Sequence, residues 1–210
     1  IEPAIAEPSA PQGRPEPRSA AVRPAADTVD WDSFTSLEAL LAAVRADNPR
    51  APIADGAPES GLMLLGEAPS AEDLRSGRPF TGPAGQLLDR MLAAIGRDRR
   101  SAYVSLLCPR RRVPGPPPPD AIGADLALTR AHIRLAAPRL VLLLGANPVQ
   151  ALTGVDDPIS RVRGTWLNLD AGAGTVPALA TFNPAYLLRR PEEKAKAWDD
   201  LLALRRRLLQ

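Results

Sequence analysis

Two short stretches, GLMLLG (61–66) and RLVLLLG (139–145), are apolar at nearly every position and stop at a glycine. A run of that length, hydrophobic on both faces, predicts a strand buried within a parallel sheet. AYVSLL (102–107) and PALATF (177–182) are weaker strand candidates of the same kind. Between them the apolar residues change to three- and four-residue spacing in AGQLLDRMLAAIG (84–96), ADLALTRAHIRLAA (124–137), NPVQALTG (147–154) and EEKAKAWDDLLALRRRL (192–208). That period predicts helices. Upstream, SLEALLAAV opens at Ser36 as a capped helix, with a hydroxyl ahead of the acidic residue Glu38 and leucines at helical spacing.

Strand and helix alternate, which predicts an α/β fold: a three-layer α/β/α sandwich around a central, mainly parallel, roughly four-stranded sheet. Residues 36–210 are expected to form this single domain. Residues 1–35 are expected to be a disordered Pro/Ala-rich tail, because Pro3, Pro8, Pro11, Pro15, Pro17 and Pro24 are interspersed with Ala, Glu and Arg and few large apolar side chains. The sequence names no partner for the tail. Parallel sheets place ligands beyond the carboxyl ends of their strands. The loops to read are therefore GEAPSAEDLRSGRPFTGPAG (66–85), the stretch from Leu106 through the polyproline run to Asp120, the segment after Gly145, and NPAYLLRRP (183–191).

Composition narrows the chemistry. At 210 residues and 45% hydrophobic content the chain can bury one good core. No apolar run approaches the roughly 20 residues of a membrane span, and no signal-like start precedes the domain, so a soluble, cytoplasmic protein without membrane attachment is expected. One cysteine, Cys108, excludes an internal disulfide framework and cannot alone build a zinc or iron–sulfur site, so no metal and no cofactor are expected. A net charge of +2 permits nucleic-acid binding without demanding it. The cations are nearly all arginine, which suits bidentate phosphate contacts but is as easily a habit of genome composition. His132, the single histidine, lies in mid-helix away from the loops and is assigned no chemistry.

The loop 66–85 places Glu67, Glu72 and Asp73 after a strand, then Pro79-Phe80 and a Gly-Pro-Ala-Gly helix start. Glycines allow close approach to a polar ligand, and the helix start offers unpaired N–H groups to a phosphate or carbonyl oxygen. From chemistry alone, an ordinary solvated turn remains equally open.

The string GEAPSAEDLRSGRPFTGPAGQLLDRML closely resembles the first motif of family 4 uracil-DNA glycosylases: GEAPG, an acidic pair, G-x-PFVG and a Leu-Leu-Asp helix. LLLGANPVQALTG, ISRVRGTW (159–166) and TFNPAYLLRRPEEKAKAWDDL (181–201) are similar to later segments of that family, so the resemblance runs from about residue 37 to the C-terminus. It implies a monomeric base-excision repair hydrolase that takes a damaged or deaminated base flipped out of DNA. It also implies roles. Phe80 would stack on the base, with Ala68 and Leu106 beside it. Glu67 and Asp73 fall at acidic positions of the family and could stabilise an oxocarbenium-like sugar or orient water. Asn183 stands at the position that assists the leaving base. Pro69, Ser70, Pro184, Tyr186, Leu187, Leu188 and Arg189 would contact DNA, the YLLR segment filling the gap left by the flipped base; a simple hydrophobic staple is the alternative for that segment.

Departures from the family pattern carry equal weight. Asn183 replaces the histidine of HPAYLL, whose N–H stabilises charge on the departing base; a neutral amide implies weakened chemistry, another target base, or none. Leu106 replaces the asparagine of YITNVV, which reads the base edge. Ser70 replaces the last glycine of GEAPG. Ala68 stands where other families carry a water-activating Asp and family 4 has a small residue. Arg110 and Asp125 fall where many members have cluster cysteines, which leaves Cys108 as a buried structural thiol. Two readings follow: a glycosylase hydrolysing the N-glycosidic bond of uracil or another deaminated base, or a catalytically impaired DNA-binding or repair-complex module with the same fold. An α/β enzyme acting on free nucleosides or nucleotides is a third, more remote one.

Overall fold

The computed structural model describes residues 29–171 and 174–210. Residues 1–28, most of the expected tail, lie outside the described residues. Packed structure begins before Ser36. Trp31, in the 3-10 turn Trp31–Ser33, is buried with Leu40, Val44 and Leu128 and stacks on Phe34 at 5.8 Å. A lone aromatic in polar surroundings has no periodicity to announce its burial, which is why the expected boundary fell too late.

Six strands form one sheet: β1 (Ala54–Gly56), β2 (Leu62–Gly66), β3 (Tyr103–Leu106), β4 (Leu140–Leu144), β5 (Trp166–Asp170) and β6 (Thr175–Thr181), in the order β1-β3-β2-β4-β6-β5. The inner four are parallel, with Leu64 facing Val104 on one side and Leu142 on the other, and Leu142 facing Leu179. These are the four strands expected from sequence. β1 and β5 add antiparallel edges to β3 and β6. Neither edge strand carries an apolar pattern strong enough to be read in advance.

Parallel neighbours need crossovers, and the helices supply them. They are α1 (Leu37–Asp47), α2 (Ala71–Ser76), α3 (Gly82–Ala94), α4 (Pro119–Ala136), α5 (Ala146–Thr153), α6 (Ile159–Val162), α7 (Pro184–Arg189) and α8 (Lys194–Leu208). Strand side chains alternate between faces. Leu62 and Leu64 therefore pack with Leu88 and Leu92 of α3 and Leu201 and Leu204 of α8. Met63 and Leu65 pack with Ile133 of α4 and Val149 and Leu152 of α5. Each fully buried leucine contributes roughly 1.5–3 kcal/mol, so the sheet is clamped from both sides in the expected three layers. α1 lies outside α4, and Ser36 caps it by accepting from the Ala39 N–H at 3.2 Å.

Three local differences from the sequence expectation have simple causes. α4 starts at Pro119, not at Ala124, because a proline costs nothing in the first turn, where its missing N–H has no partner to lose. The segment 183–191 is not a plain loop but contains α7, and the loop after β2 contains α2. Both helices have only 6 residues, too short for a visible period.

Candidate active site

The chain leaves β2 for β3 on one side of the sheet and passes through β4 on the other, which makes the carboxyl ends of β2 and β4 the switch point where such sheets hold ligands. A pocket of about 500 Å³ lies there, and every one of the four anticipated loops reaches its wall. Glu67, Ala68, Pro69, Ser70, Asp73, Phe80, Leu106, Asn183, Tyr186 and Arg189 all line it, so most of the expected site residues converge on one space. Ile159, Phe182 and the Pro114–Pro116 stretch complete the wall. Of these, Phe182 was legible as a strand residue and as part of a matching segment, and Ile159 only as part of a matching segment.

Glu67 follows the last residue of β2, and its carboxylate turns to the start of α5. Its Oε1 lies 2.5 Å from the point a Cβ on Gly145 would occupy. Gly145 has φ of 111°, and it contributes no side-chain cap to α5. The carboxylate stands in for one, because the Asn147 N–H donates to it. Burial pushes the Glu67 carboxyl above its ordinary range, outweighing that hydrogen bond and the nearby Arg189 charge. A desolvated carboxyl aimed into a cleft is the kind of group that enzymes use for acid–base or electrostatic work.

The floor is apolar. Phe80 is 7% exposed and its ring covers Gly66, where a Cβ would come within 2.5 Å of the ring carbons. Leu106 ends β3 beside it, with its Cδ2 3.0 Å from the same point. Phe80 has φ of 53°, a left-handed conformation that costs a non-glycine residue on the order of 1–2 kcal/mol. Strain of this kind persists only where neighbours enforce it. Leu106 brings no polar atom, so nothing at that point can read the hydrogen-bonding edge of a base.

Asp73 differs from its expected catalytic role. It is buried, and its two oxygens accept from the Ser70 N–H at 2.9 Å, the Thr81 N–H at 2.7 Å and the Thr81 hydroxyl at 2.9 Å. With the Ser70 hydroxyl accepting from the Asp73 N–H, this is a capping box on α2, extended to the residue after Phe80. The carboxylate ties the two halves of the loop together. Its cue was in the sequence, since Ser70-Ala71-Glu72-Asp73 is a capping-box pattern.

Asn183 also carries structural duties. Its Oδ1 accepts from the Ala185 N–H at 2.9 Å and caps α7, while its Nδ2 donates to the Leu144 carbonyl at 3.3 Å. One Nδ2 proton is left over. In α7 the expected DNA-contact residues divide. Leu187 is 1% exposed and belongs to the core, and Pro184 is buried too. Helical spacing turns Leu188 and Arg189 outward, while Tyr186 stacks on Phe182 at 5.1 Å. Leu187 therefore cannot serve as a contact residue on the surface. Pro69 is likewise buried at the pocket wall, and Ser70 stays partly exposed.

The residues present do not fit an iron–sulfur cluster. The chain has one cysteine, and among the described residues no three His, Cys, Asp or Glu side chains gather as metal ligands. Arg110 and Asp125 bind each other instead, Nε to Oδ1 at 2.5 Å, and Arg110 also donates to the Ala124 carbonyl at 2.7 Å and lies over Trp31. An ion pair thus joins the loop after β3 to α4. Cys108 is fully buried and burial pushes its thiol up to about 12, with the Asp125 charge adding to the effect.

The sequence matches the family model described as the uracil DNA glycosylase superfamily over residues 53–202, a span that holds every pocket residue named above. It is similar to a type-4 uracil-DNA glycosylase of Archaeoglobus fulgidus, with 32% identity over 153 residues, covering 69% of this chain and 75% of that protein. A type-4 uracil-DNA glycosylase of Thermotoga maritima is 32% identical over 142 residues, 65% of this chain and 71% of that protein. One of Pyrobaculum aerophilum is 29% identical over 155 residues, 70% and 78% respectively.

Proposed function

The chain belongs to the uracil-DNA glycosylase superfamily, and from that premise we propose that its pocket receives a base swung out of DNA and that the protein hydrolyses the N-glycosidic bond of uracil or another deaminated base. The observation that carries this reading is the meeting, in one pocket, of a desolvated carboxylate on Glu67, the ring of Phe80 held by a left-handed backbone and the spare Asn183 N–H.

Each group has a part in the reaction. Flipping costs a few kcal/mol of unstacking and pairing, and stacking on an aromatic face returns about 1–3 kcal/mol. Phe80 offers that face. As the glycosidic bond breaks, its electron pair leaves with the base and positive charge develops at the sugar. The Glu67 carboxylate stabilises that charge and orients the water that attacks the sugar carbon, taking up the proton the water releases. Asn183 donates a hydrogen bond through its free Nδ2–H to an oxygen of the departing base, which stabilises the charge there without proton transfer. Ala68 keeps the wall beside Glu67 small. Asp73 holds the loop, Arg189 supplies charge for a phosphate at the rim, and Leu188, 38% exposed, is the apolar side chain available to fill the vacated stack.

A second reading has its own support. Asn183 already spends its oxygen and one proton on α7 and Leu144, and Leu106 reads nothing, so a module that binds DNA without cutting a glycosidic bond has the same fold and pocket.

Single-turnover cleavage, at excess protein, of end-labelled oligonucleotides carrying uracil, hypoxanthine or xanthine separates the two. The wild type is expected to leave abasic product. Asn183→Ala and Asn183→Asp are both expected to lose it and to melt lower than the wild type, Ala because the cap on α7 is gone and Asp because a carboxylate oxygen then faces the Leu144 carbonyl. A silent wild type with retained DNA binding supports the non-catalytic module, and recovery in Asn183→His marks a disabled descendant of an enzyme.

A further inference from the structure

Behind the pocket, Arg99 binds four groups from three parts of the fold. It lies in the turn after α3, outside the pocket wall. Its Nη2 donates to the carbonyl of Phe80 at 2.6 Å and its Nη1 to the carbonyl of Pro79 at 3.0 Å. The same Nη1 meets Asp55 of β1 at 2.8 Å, and Nε meets Asp89 of α3 at 2.7 Å. Asp55 is shared with Arg78, which reaches it at 2.9 Å but is not bonded to either carbonyl. Two carboxylates thus fix a guanidinium whose remaining donors grip two successive peptide oxygens.

Those two peptides are the ones that orient the ring. Phe80 is one of only two non-glycine residues with positive φ among the described residues, and the other, Ala137, ends a helix. Turned this way, its carbonyl points at the first turn of α3 and is tolerated because position 85 is glycine, where a Cβ would lie 1.7 Å from that oxygen. A carbonyl turned from the extended conformation needs a donor that waits in the new position. Arg99 provides it, in a planar fork that a lysine's single ammonium does not reproduce.

We infer that Arg99 is a positioning residue, holding Phe80 in the left-handed conformation that presents its ring to the base. The inference rests on the reading of the pocket as a base-excision site, yet its physical core, the coupling of Arg99 to the Phe80 ring, does not depend on turnover.

The test uses the full chain labelled with fluorophenylalanine, whose three phenylalanines, Phe34, Phe80 and Phe182, give three fluorine resonances; Phe80→Leu identifies the one that matters. Arg99→Lys and Arg99→Ala are compared with Arg78→Ala, which removes a neighbouring ion pair from the same Asp55. Both Arg99 variants are expected to shift or broaden the Phe80 resonance alone, to abolish its displacement by added free uracil, and to lower kcat/KM for excision on the order of 10- to 100-fold, chiefly through KM, with Arg78→Ala close to wild type. A Phe80 resonance unmoved in Arg99→Lys, or moved equally by Arg78→Ala, overturns the positioning role whether or not the wild type excises a base. A wild type whose Phe80 resonance ignores uracil and which excises nothing overturns the base-excision reading instead, while the response to Arg99→Lys still decides the coupling.

Discussion

Glu67 and Gly145 occupy nearly the same space: the carboxylate oxygen lies 2.5 Å from where the Cβ of any other residue at position 145 would be. Gly145 also has φ of 111°, a conformation that side chains disfavour. Gly145→Ala is therefore expected to displace Glu67 from the end of α5 and to cost about 1–3 kcal/mol in stability. A thermal melt and excision kinetics check this together. An alanine variant with full activity would separate Glu67 from the chemistry.

The pH dependence of excision follows from the same burial. The desolvated Glu67 carboxyl titrates above its ordinary 4.5, and the proposed role needs the ionised form. As pH falls, the proton is taken up earlier than on a free glutamate, so the acid limb of kcat/KM is expected to have its midpoint above 4.5. Glu67→Gln should lower the rate about 100-fold or more and remove that limb. A limb that persists in Glu67→Gln belongs to another group.

Leu187 and Leu188 are neighbours with opposite surroundings, 1% and 38% exposed. Leu187→Ala empties a core site and is expected to cost about 2–5 kcal/mol. Leu188→Ala should leave the melting temperature nearly unchanged and weaken binding to DNA with an abasic or flipped position. Denaturant unfolding and fluorescence anisotropy distinguish them, and equal effects of the two on stability would contradict the helix orientation.

His132 gives a stability signature unrelated to the site. It is buried, its Nε2 lies 2.8 Å from the Tyr103 hydroxyl and its Nδ1 faces Ser105, and burial lowers its pKa from 6.5 to about 4. The unfolded chain binds this proton near 6.5 and the native one only near 4, so between those values the unfolded state holds more protons. Stability from this group is fully present above 6.5 and is lost as pH falls through that window, by on the order of 3 kcal/mol. Guanidinium midpoints across the window in wild type and His132→Gln give the contribution as a difference, and parallel curves would refute it.

Much of this molecule was legible locally. Strands β2 and β4 announce themselves because a strand covered on both faces must be apolar throughout, and α3, α5 and α8 because a helix packed on one side repeats every three to four residues. Ser36 reads as a cap because its hydroxyl serves an N–H three residues away. Once parallel strands are recognised, the loops after them become the site, and Glu67, Phe80, Leu106 and Asn183 all lie there. What the tertiary structure decided involves partners far apart in sequence. Edge strand β1 exists because β3 offers it unpaired backbone groups, not because Ala-Asp-Gly has strand character. Leu187 became a core residue through neighbours that assemble only on folding, whereas Asp73 ties its loop through partners three and eight residues away. The raised pKa of Glu67 requires the packed pocket wall that desolvates it, against the lowering by the Asn147 N–H at the start of α5, and the turned carbonyl of Phe80 meets its donor in Arg99, 19 residues later. Periodicity and capping are short-range effects that a sequence displays directly. Desolvation, strain and long-range ion pairing arise only when the chain is packed.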